Sequence, residues 1–353
     1  MNLEGGKIDQ LLRIVVRASG TDLLLVSGYP PMVRVDGQLS PMEGEDVLDA
    51  ARVQALLAEL ISEPQARRLE LDLELDFAFG WGDVARVRGN AYHQRGGHAI
   101  ALRVIPEAIP DFDEIGLPSA VAGLAQLHQG LVLFTGPTGS GKSTSLASLV
   151  EWVNANRACH VITIEDPIEY LHHSKRAVVS QREVGLDTHS FAHALRSVLR
   201  EDPDVVLVGE MRDAESIAIT LTLAETGHLV FSTLHTNDAS QALDRIVDVF
   251  AAEQQPQIRT QLAGVLRAVV AQRLIARTGG GMTAAFEVLI ATDAVRNLVR
   301  EGRTRQLRNV IATSRADGMQ TLERGLSDLV RSGAVDYDEA LAHALVPREV
   351  DRP

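Results

Sequence analysis

The chain is 353 residues long, enough for two domains of ordinary size, each with its own core. Its charged fraction of 23% and apolar fraction of 45% are those of a soluble globular protein, and no apolar run reaches the length of a membrane span. A net charge of −13 argues against nucleic acid carried along the outer surface, which needs a basic stripe to neutralise phosphates; it leaves room only for a narrow basic pore.

The opening residues MNLEGGKIDQ carry neither a basic nor an apolar signal region, so no secretory signal is expected. The single cysteine, Cys159, excludes an intrachain disulfide and any Cys-rich zinc cluster within one chain, and the expected compartment is the cytosol. Arginine supplies nearly all of the positive charge. The lysines are Lys7, Lys142 and Lys175.

In chain order, residues 8–18 place Ile8, Leu11, Leu12 and Val15 on one face of a short amphipathic helix. Leu23–Val26 and Met32–Val35 read as strands, the second closed by the turn signal Asp36-Gly37. A helical segment around 45–61 follows. Leu71, Leu73, Leu75, Phe77 and Phe79 then alternate with acidic or small residues, which predicts a half-buried strand. VARVRGNAYHQ and HAIALRVI flank Arg95-Gly96-Gly97 and predict a hairpin. Antiparallel strands with a few helices make residues 1–106 an α+β domain.

Pro106–Pro118 is rich in proline and acid and has no period, so residues 107–118 read as an interdomain linker. Over residues 119–353 the pattern changes. Short apolar strands (LVLF, VITI, VVLV, HLVFST) alternate with helices from Lys142, around 188–201 and from about 213, as in a parallel sheet covered by helices. After Gly279-Gly280-Gly281 the chain reads as mostly helical to its end, with C-terminal helices over about 291–353.

Gly136-Pro137-Thr138-Gly139-Ser140-Gly141-Lys142-Ser143-Thr144 fits G-x-x-x-x-G-K-[ST] between a strand and a helix. Glycines let backbone N–H groups close around phosphates, and the helix N-terminus adds positive potential. The expected ligand is ATP with Mg²⁺: Lys142 reaches the β- and γ-phosphates and Ser143 ligates the metal. A carboxylate near the Mg²⁺ and a group that orients water are also required. Val205–Val208 runs into Gly209-Glu210, which makes Glu210 the Walker B acid, holding Mg²⁺ partly through water. Val161–Ile164 runs into Glu165, Asp166 and Glu169, and spacing alone does not choose the base among them. His228 and His235 bracket the next strand and are expected beside the γ-phosphate. Arg86 and Arg88 share a strand face with Arg103 opposite, candidates to stabilise charge developing on phosphate.

These residues resemble the type II/IV secretion ATPase superfamily, and within it the retraction ATPases of type IV pili, the PilT family. The likeness runs through TDLLLVSGYPPMVRVDG, ITIEDPIEY, QREVG, ALRSVLREDPDVVLVGEMRD, AETGHLVFSTLHT and DRIVDVF in order. AVRNLVRE (Ala294–Glu301) and GMQTL (Gly318–Leu322) are similar to the retraction branch in particular. The resemblance implies a PAS-like α+β domain followed by a RecA-like P-loop NTPase domain with a helical C-terminal extension. It implies a homo-hexamer with nucleotide between the domains, hydrolysing ATP to retract pili and drive twitching motility. The implied place is the inner face of the cytoplasmic membrane, with peripheral association only. The implied partners are the platform protein of the pilus machine and a sibling retraction ATPase, without nucleic acid. The resemblance puts the general base on Glu169, the Walker B acid on Glu210, the His-box pair on His228 and His235, and nucleotide contacts on Arg88 and Arg103.

Two residues depart from the family pattern: Leu24 stands where many relatives carry histidine, and Glu323 where aspartate is usual. Competing readings are a pilus-assembly or secretion ATPase, an accessory PilU-like subunit, and a nucleic-acid translocase. The first usually carries a four-cysteine zinc module that one cysteine cannot build, and the last needs an aromatic or basic path that a 4% aromatic content does not favour. The direction of work must be encoded outside the phosphate loop. In TDAVRNLVREG, Thr292 or Asp293 caps a helix with Val295, Leu298 and Val299 inward, leaving Arg296, Asn297, Arg300 and Glu301 for a partner or for the moving domain.

Overall fold

The computed structural model describes residues 5–35, 37–82, 84–106 and 108–352. Of the expected turn Asp36-Gly37, Asp36 lies outside them. The chain divides into two compact units: Met1–Ala108 with Glu169–Leu171, and Ile109–Ile168 with His172–Pro353.

The first unit runs α1 (Lys7–Arg17), β1 (Asp22–Val26), β2 (Met32–Val35), β3 (Gln38–Pro41), α2 (Ala50–Leu60), α3 (Glu63–Asp72), β4 (Glu74–Trp81), β5 (Ala85–Gln94) and β6 (Gly97–Pro106). Its strands form an antiparallel sheet in the order β3-β2-β1-β6-β5-β4. The apolar face of α1 (Ile8, Leu11, Leu12, Val15) is fully buried against Leu23, Leu25, Leu60 and Ile100. Leu24 points to the other face and is half-buried. Arg95 and Gly96 have φ of 47° and 79°, the positive pair that a two-residue I′ hairpin loop demands, so Gly97 is already in β6 opposite Gln94.

The strand expected from Leu71 begins only at Glu74. Residues up to Asp72 form α3, which starts with the Gln65 side chain accepting from the Ser62 N–H at 2.9 Å and with Pro64 in its first turn. It stops where Leu73 takes a φ of 65°. Leu71 and Leu73 are 82% and 57% exposed, so the alternation that includes them is accidental; from Leu75 through Trp81 the alternate residues are buried.

The second unit runs α4 (Ser119–Ala122), β7 (Gly130–Thr135), α5 (Lys142–Asn156), β8 (His160–Glu165), β9 (Val178–Glu183), α6 (Phe191–Val198), β10 (Val205–Val208), α7 (Ala214–Glu225), β11 (Leu229–Leu234), α8 (Ala239–Asp248), α9 (Gln255–Val265), β12 (Leu266–Ala276), β13 (Met282–Ile290), α10 (Asp293–Arg300), α11 (Leu307–Thr313), α12 (Leu322–Arg331) and α13 (Tyr337–His343). The sheet order is β13-β12-β7-β11-β10-β8-β9, parallel from β12 to β9, with β13 antiparallel on the edge. Every residue of β7, β10 and β11 is buried, as strands covered on both faces require. Parallel pairing brings the C-terminal ends of β7, β11, β10 and β8 to one edge of the sheet.

Two expectations change. The segment after Gly279-Gly280-Gly281 is not helical at first: it returns as β13, paired along β12, and helices begin at Asp293. Ile109 onward, read as linker, belongs to the second unit: Phe112 and Ile115 pack half-buried on its core and Leu117 is buried in it.

Candidate active site

Strand β7 delivers the chain to Gly136, whose φ of 146° suits glycine alone. A Cβ there would stand 2.3 Å from the Gln272 carbonyl oxygen and 2.7 Å from Ser140 Oγ; one at Gly141 would stand 2.9 Å from Gln272 Nε2. Pro137, Thr138 and Gly139 form an exposed lip, with Ser140 and Lys142 buried behind it. Lys142 opens the 15-residue helix α5. Its Nζ donates to the carbonyls of Gly136 (2.8 Å) and Pro137 (2.9 Å), so the ammonium is drawn over the loop. No acidic residue sits in the first turn to cancel the helix field, and Ser143 is exposed there. A backbone that only glycine tolerates, a free helix N-terminus, an ammonium and an exposed hydroxyl together fit the phosphates of a nucleotide.

The loop is braced from two sides. Ser145 Oγ donates to Gln272 Oε1 at 2.9 Å from within α5, and Gln272 is 2% exposed on β12. Thr135 Oγ1 donates to the Thr236 carbonyl at 2.6 Å and accepts the Thr236 N–H at 3.0 Å, which ties the end of β7 to the segment after β11. Sequence reasoning found neither Gln272 nor Thr236. The first lies on a strand it did not predict.

The neighbouring strand ends supply the charges. Past β10, Glu210 is ion-paired with Arg212, and its Oε2 lies 3.2 Å from His235 Nε2 past β11. Arg212 also reaches Asp166 at 3.9 Å past β8. Its hydrogen bond to Glu210 holds the guanidinium still more firmly in its charged form. Glu210, Arg212, Asp166 and His235 thus form one network across three adjacent parallel strands. Sequence reasoning missed Arg212, although it sits within the quoted VVLVGEMRD, because a lone arginine in an arginine-rich chain carries no spacing signal.

Glu165 is held by its own surroundings: its Oε1 accepts from Thr163 Oγ1 at 2.6 Å and from Gln181 Nε2 at 3.2 Å. Glu169 is half-buried in the Glu169–Leu171 segment that groups with the first unit, and makes no hydrogen bond or ion pair among the described residues.

His228 is a correction. It precedes β11 while His235 follows it, and Leu229 pairs with Gly130 at the start of β7 whereas Leu234 pairs with Thr135 at its end. Strand rise over that length separates the two histidines by roughly 20 Å, so within the unit His228 lies at the sheet edge away from the loop. There its Nδ1 sits 2.9 Å from the Leu223 carbonyl at the end of α7 and 3.0 Å from Thr226 Oγ1.

In the first unit Arg88 and Arg103 face each other directly across β5 and β6, both exposed. Like charges so placed repel. Arg103 is offset by Asp22 at 2.8 Å, while Arg88 has no carboxylate partner among the described residues.

Known proteins resemble this chain in sequence and fold. The family described as Type II/IV secretion system protein matches residues 32–279. The chain is similar to the type IV pilus retraction ATPase PilT of Pseudomonas aeruginosa, 45% identical over 96% of this chain and 98% of that protein. It is also similar to a twitching motility protein of Neisseria gonorrhoeae, 44% identical over 89% of this chain and 84% of that protein. The crystal structure of the pilus retraction motor PilT with bound ADP superposes with a TM-score of 0.90 at 42% identity, covering 98% and 99% of the two chains. The fold of this chain is therefore an N-terminal α+β domain of PAS-like type followed by a RecA-like P-loop domain with C-terminal helices, and the protein is a nucleotide-binding ATPase. The chain belongs to the type II/IV secretion system protein family, in its branch of PilT-like retraction ATPases.

Proposed function

We propose that this ATPase is the motor that withdraws type IV pili and so drives twitching motility, working as a homo-hexamer against the platform protein at the cytoplasmic face of the inner membrane. The observation that carries the reading is the Glu210–Arg212–Asp166–His235 network beside an intact phosphate loop, in a chain similar end to end to a retraction ATPase. Membrane association is peripheral in this reading; no helix among the described residues is long and apolar enough to cross a membrane.

In this reading Gly136–Thr144 grip the phosphates by backbone N–H groups, with Lys142 as the point charge on the β- and γ-phosphates. Ser143 and Glu210 would hold Mg²⁺, Glu210 partly through water, and the bound ion would neutralise charge on the phosphate oxygens. Glu169 takes the proton of the attacking water, a role for which it is unencumbered where Glu165 is not. His235 orients Glu210 and reports the state of the γ-phosphate to it. Arg212 fixes the position of the Glu210 carboxylate through their ion pair. Arg88 and Arg103, in the domain spanning 1–106, contact the nucleotide as the family resemblance implies, and 119–353 carries the hydrolytic groups. The exposed charge of Arg88, without a carboxylate partner among the described residues, supports that role.

The test is deletion of the gene followed by complementation. Deletion should give hyperpiliated cells that do not twitch, rescued by the wild-type chain but not by Lys142→Ala. Bald cells would make the protein an assembly motor instead, and unchanged piliation would remove the pilus reading altogether.

A further inference from the structure

We propose that Glu70, His93 and His98 form a transition-metal site in the N-terminal unit, taking a zinc-class ion on two imidazoles and one carboxylate, with the fourth position left to water.

Local structure builds the cluster. The two-residue loop Arg95-Gly96 fixes His93 directly opposite His98. The His93 N–H bonds the Leu73 carbonyl on the other side, at 2.9 Å. An antiparallel residue directs its N–H and C=O to the same neighbour, so His93 and His98 are a non-hydrogen-bonded pair, the closer of the two kinds. Their rings meet edge to face with centroids 4.4 Å apart. Glu70, on the last turn of α3, reaches both: its Oε1 lies 3.3 Å from His98 Nε2 and its Oε2 3.8 Å from His93 Nε2. One ligand atom from each residue lies within 4.8 Å of the other two.

Two features separate this from an ordinary histidine–glutamate contact. Both Nε2 atoms are shielded from solvent and have no hydrogen-bond partner, and the His98 side chain is only 9% exposed. Buried polar atoms are almost always satisfied, so two convergent orphan nitrogens call for a shared partner that takes a lone pair from each. A metal ion is such a partner. Tetrahedral zinc with bonds near 2.0–2.2 Å sets ligand-to-ligand separations of about 3.3–3.6 Å; the Glu70–His98 contact of 3.3 Å already falls in that range, and the three ligand atoms, all within 4.8 Å of one another, would draw in by about 1 Å or less around an ion. Two histidines and a glutamate with an open position are a zinc donor set in their own right, and harder cations such as Mg²⁺ prefer all-oxygen sites. An ion here would pin α3 to the β5–β6 hairpin.

The experiment uses the full-length protein, stripped with chelator and held without nucleotide or Mg²⁺. Zinc is titrated against a chromophoric chelator, and Co²⁺ is added separately so that its visible absorption reports the ligand set. The wild type should bind one zinc per chain in this site, with a rise in melting temperature. Glu70→Gln, a change at a 61% exposed side chain that leaves folding unperturbed, should weaken that equivalent by at least about tenfold. His93→Gln/His98→Gln should abolish it along with the cobalt spectrum and the thermal shift. The neighbouring histidines His189 and His193, whose rings are 5.4 Å apart on the other unit, are untouched in both variants and control for adventitious binding. Equal zinc stoichiometry and affinity in wild type and both variants, or no stabilisation of the wild type by zinc, would overturn the proposal.

Discussion

Replacing Glu287 with glutamine tests how the second unit keeps the segment after His235 in place. Glu287 is 3% exposed on β13 and accepts the Ala239 N–H, at the start of α8, at 2.9 Å. Burial pushes its pKa from 4.5 up to about 7; the Ala239 N–H opposes this, Asp238 and Glu323 add to it, and Arg308 opposes it more weakly. The folded chain therefore holds this proton more tightly than the unfolded chain. Below pH 4.5 both states are protonated and the carboxyl costs nothing. Between 4.5 and about 7 the unfolded chain releases its proton first, so stability falls as pH rises, and above 7 the full cost remains. That difference is worth roughly 3 kcal/mol, or about 6–12 °C in melting temperature for a unit of this size. Glutamine keeps the acceptor for Ala239 and cannot ionise. The variant should match wild type near pH 4.5 and exceed it by up to this amount at pH 8. Other groups titrate in the same window, so the quantity to plot is the wild-type-minus-variant difference from thermal melts across pH. A difference that does not change with pH, or a variant less stable at pH 8, refutes the reasoning.

Lys142→Ala should still fold, at a cost of about 1–3 kcal/mol for the two carbonyls it leaves without their donor, and lower ATP turnover by on the order of 10²-fold or more, as loss of a charge-stabilising donor does; wild-type hydrolysis by the purified variant would mean the loop is not the active site. Gly136→Ala puts a Cβ 2.3 Å from the Gln272 carbonyl, so both ADP affinity and melting temperature should fall, with about 1–3 kcal/mol lost to overpacking; unchanged ADP binding would mean the loop relaxes freely. Glu210→Gln and Glu169→Gln should each bind ATP without hydrolysing it, and loss of binding in Glu169→Gln would remove the base assignment.

What the sequence made legible follows from what its signals depend on. The phosphate loop is readable because nine consecutive residues carry the whole device, and its glycines sit at backbone angles or close contacts that no other residue allows. Buried parallel strands are readable as continuous apolar runs. The histidine pair misled because bracketing a strand looks like adjacency in sequence, whereas a six-residue strand places its flanks at opposite edges of the sheet. Edge strand β9, VVSQRE, is mostly half-exposed and polar, so neither its period nor its hydrophobicity marks it. Strand β12 is mostly buried and could equally be a helix by pattern; only its pairing with β7 and β13 decides. Gln272, Arg212 and the Glu70–His93–His98 cluster depend on such long-range pairing and leave no local trace. The two departures from the family pattern are quiet: Glu323 is 1% exposed, pairs with Arg308 at 3.0 Å and accepts the Val346 N–H at 2.9 Å, a structural part. Most of GMQTL is structural too, with Met319 buried, Gln320 bridged to Val288 and Thr321 capping α12.

That leaves TDAVRNLVREG to carry the direction of work, and the structure sharpens how to ask. Thr292 caps α10, Val295 and Val299 are buried, and Leu298 is half-buried, as the spacing predicts. Arg296, however, is not free for a partner. Its Nε donates to the Ala291 carbonyl at 3.0 Å and its Nη2 to the Leu266 carbonyl at 3.4 Å, so it fastens the helix to the end of β13 and the start of β12. Removing it strands two carbonyls, at about 1–3 kcal/mol, and a motility defect in Arg296→Ala would not separate coupling from loosened packing. Asn297 and Arg300 are different: both are exposed, and among the described residues their side chains bond only to each other (3.3 Å) and, through Asn297, to Glu301 (3.0 Å). Exposed contacts of that kind contribute about 0–1 kcal/mol. Asn297→Ala/Arg300→Ala should therefore melt and hydrolyse ATP as wild type does, yet leave cells hyperpiliated and non-twitching if this face grips what the motor moves. Normal twitching in that pair, with loss of twitching and a lowered melting temperature in Arg296→Ala, would mean the helix serves retraction only by holding the fold together.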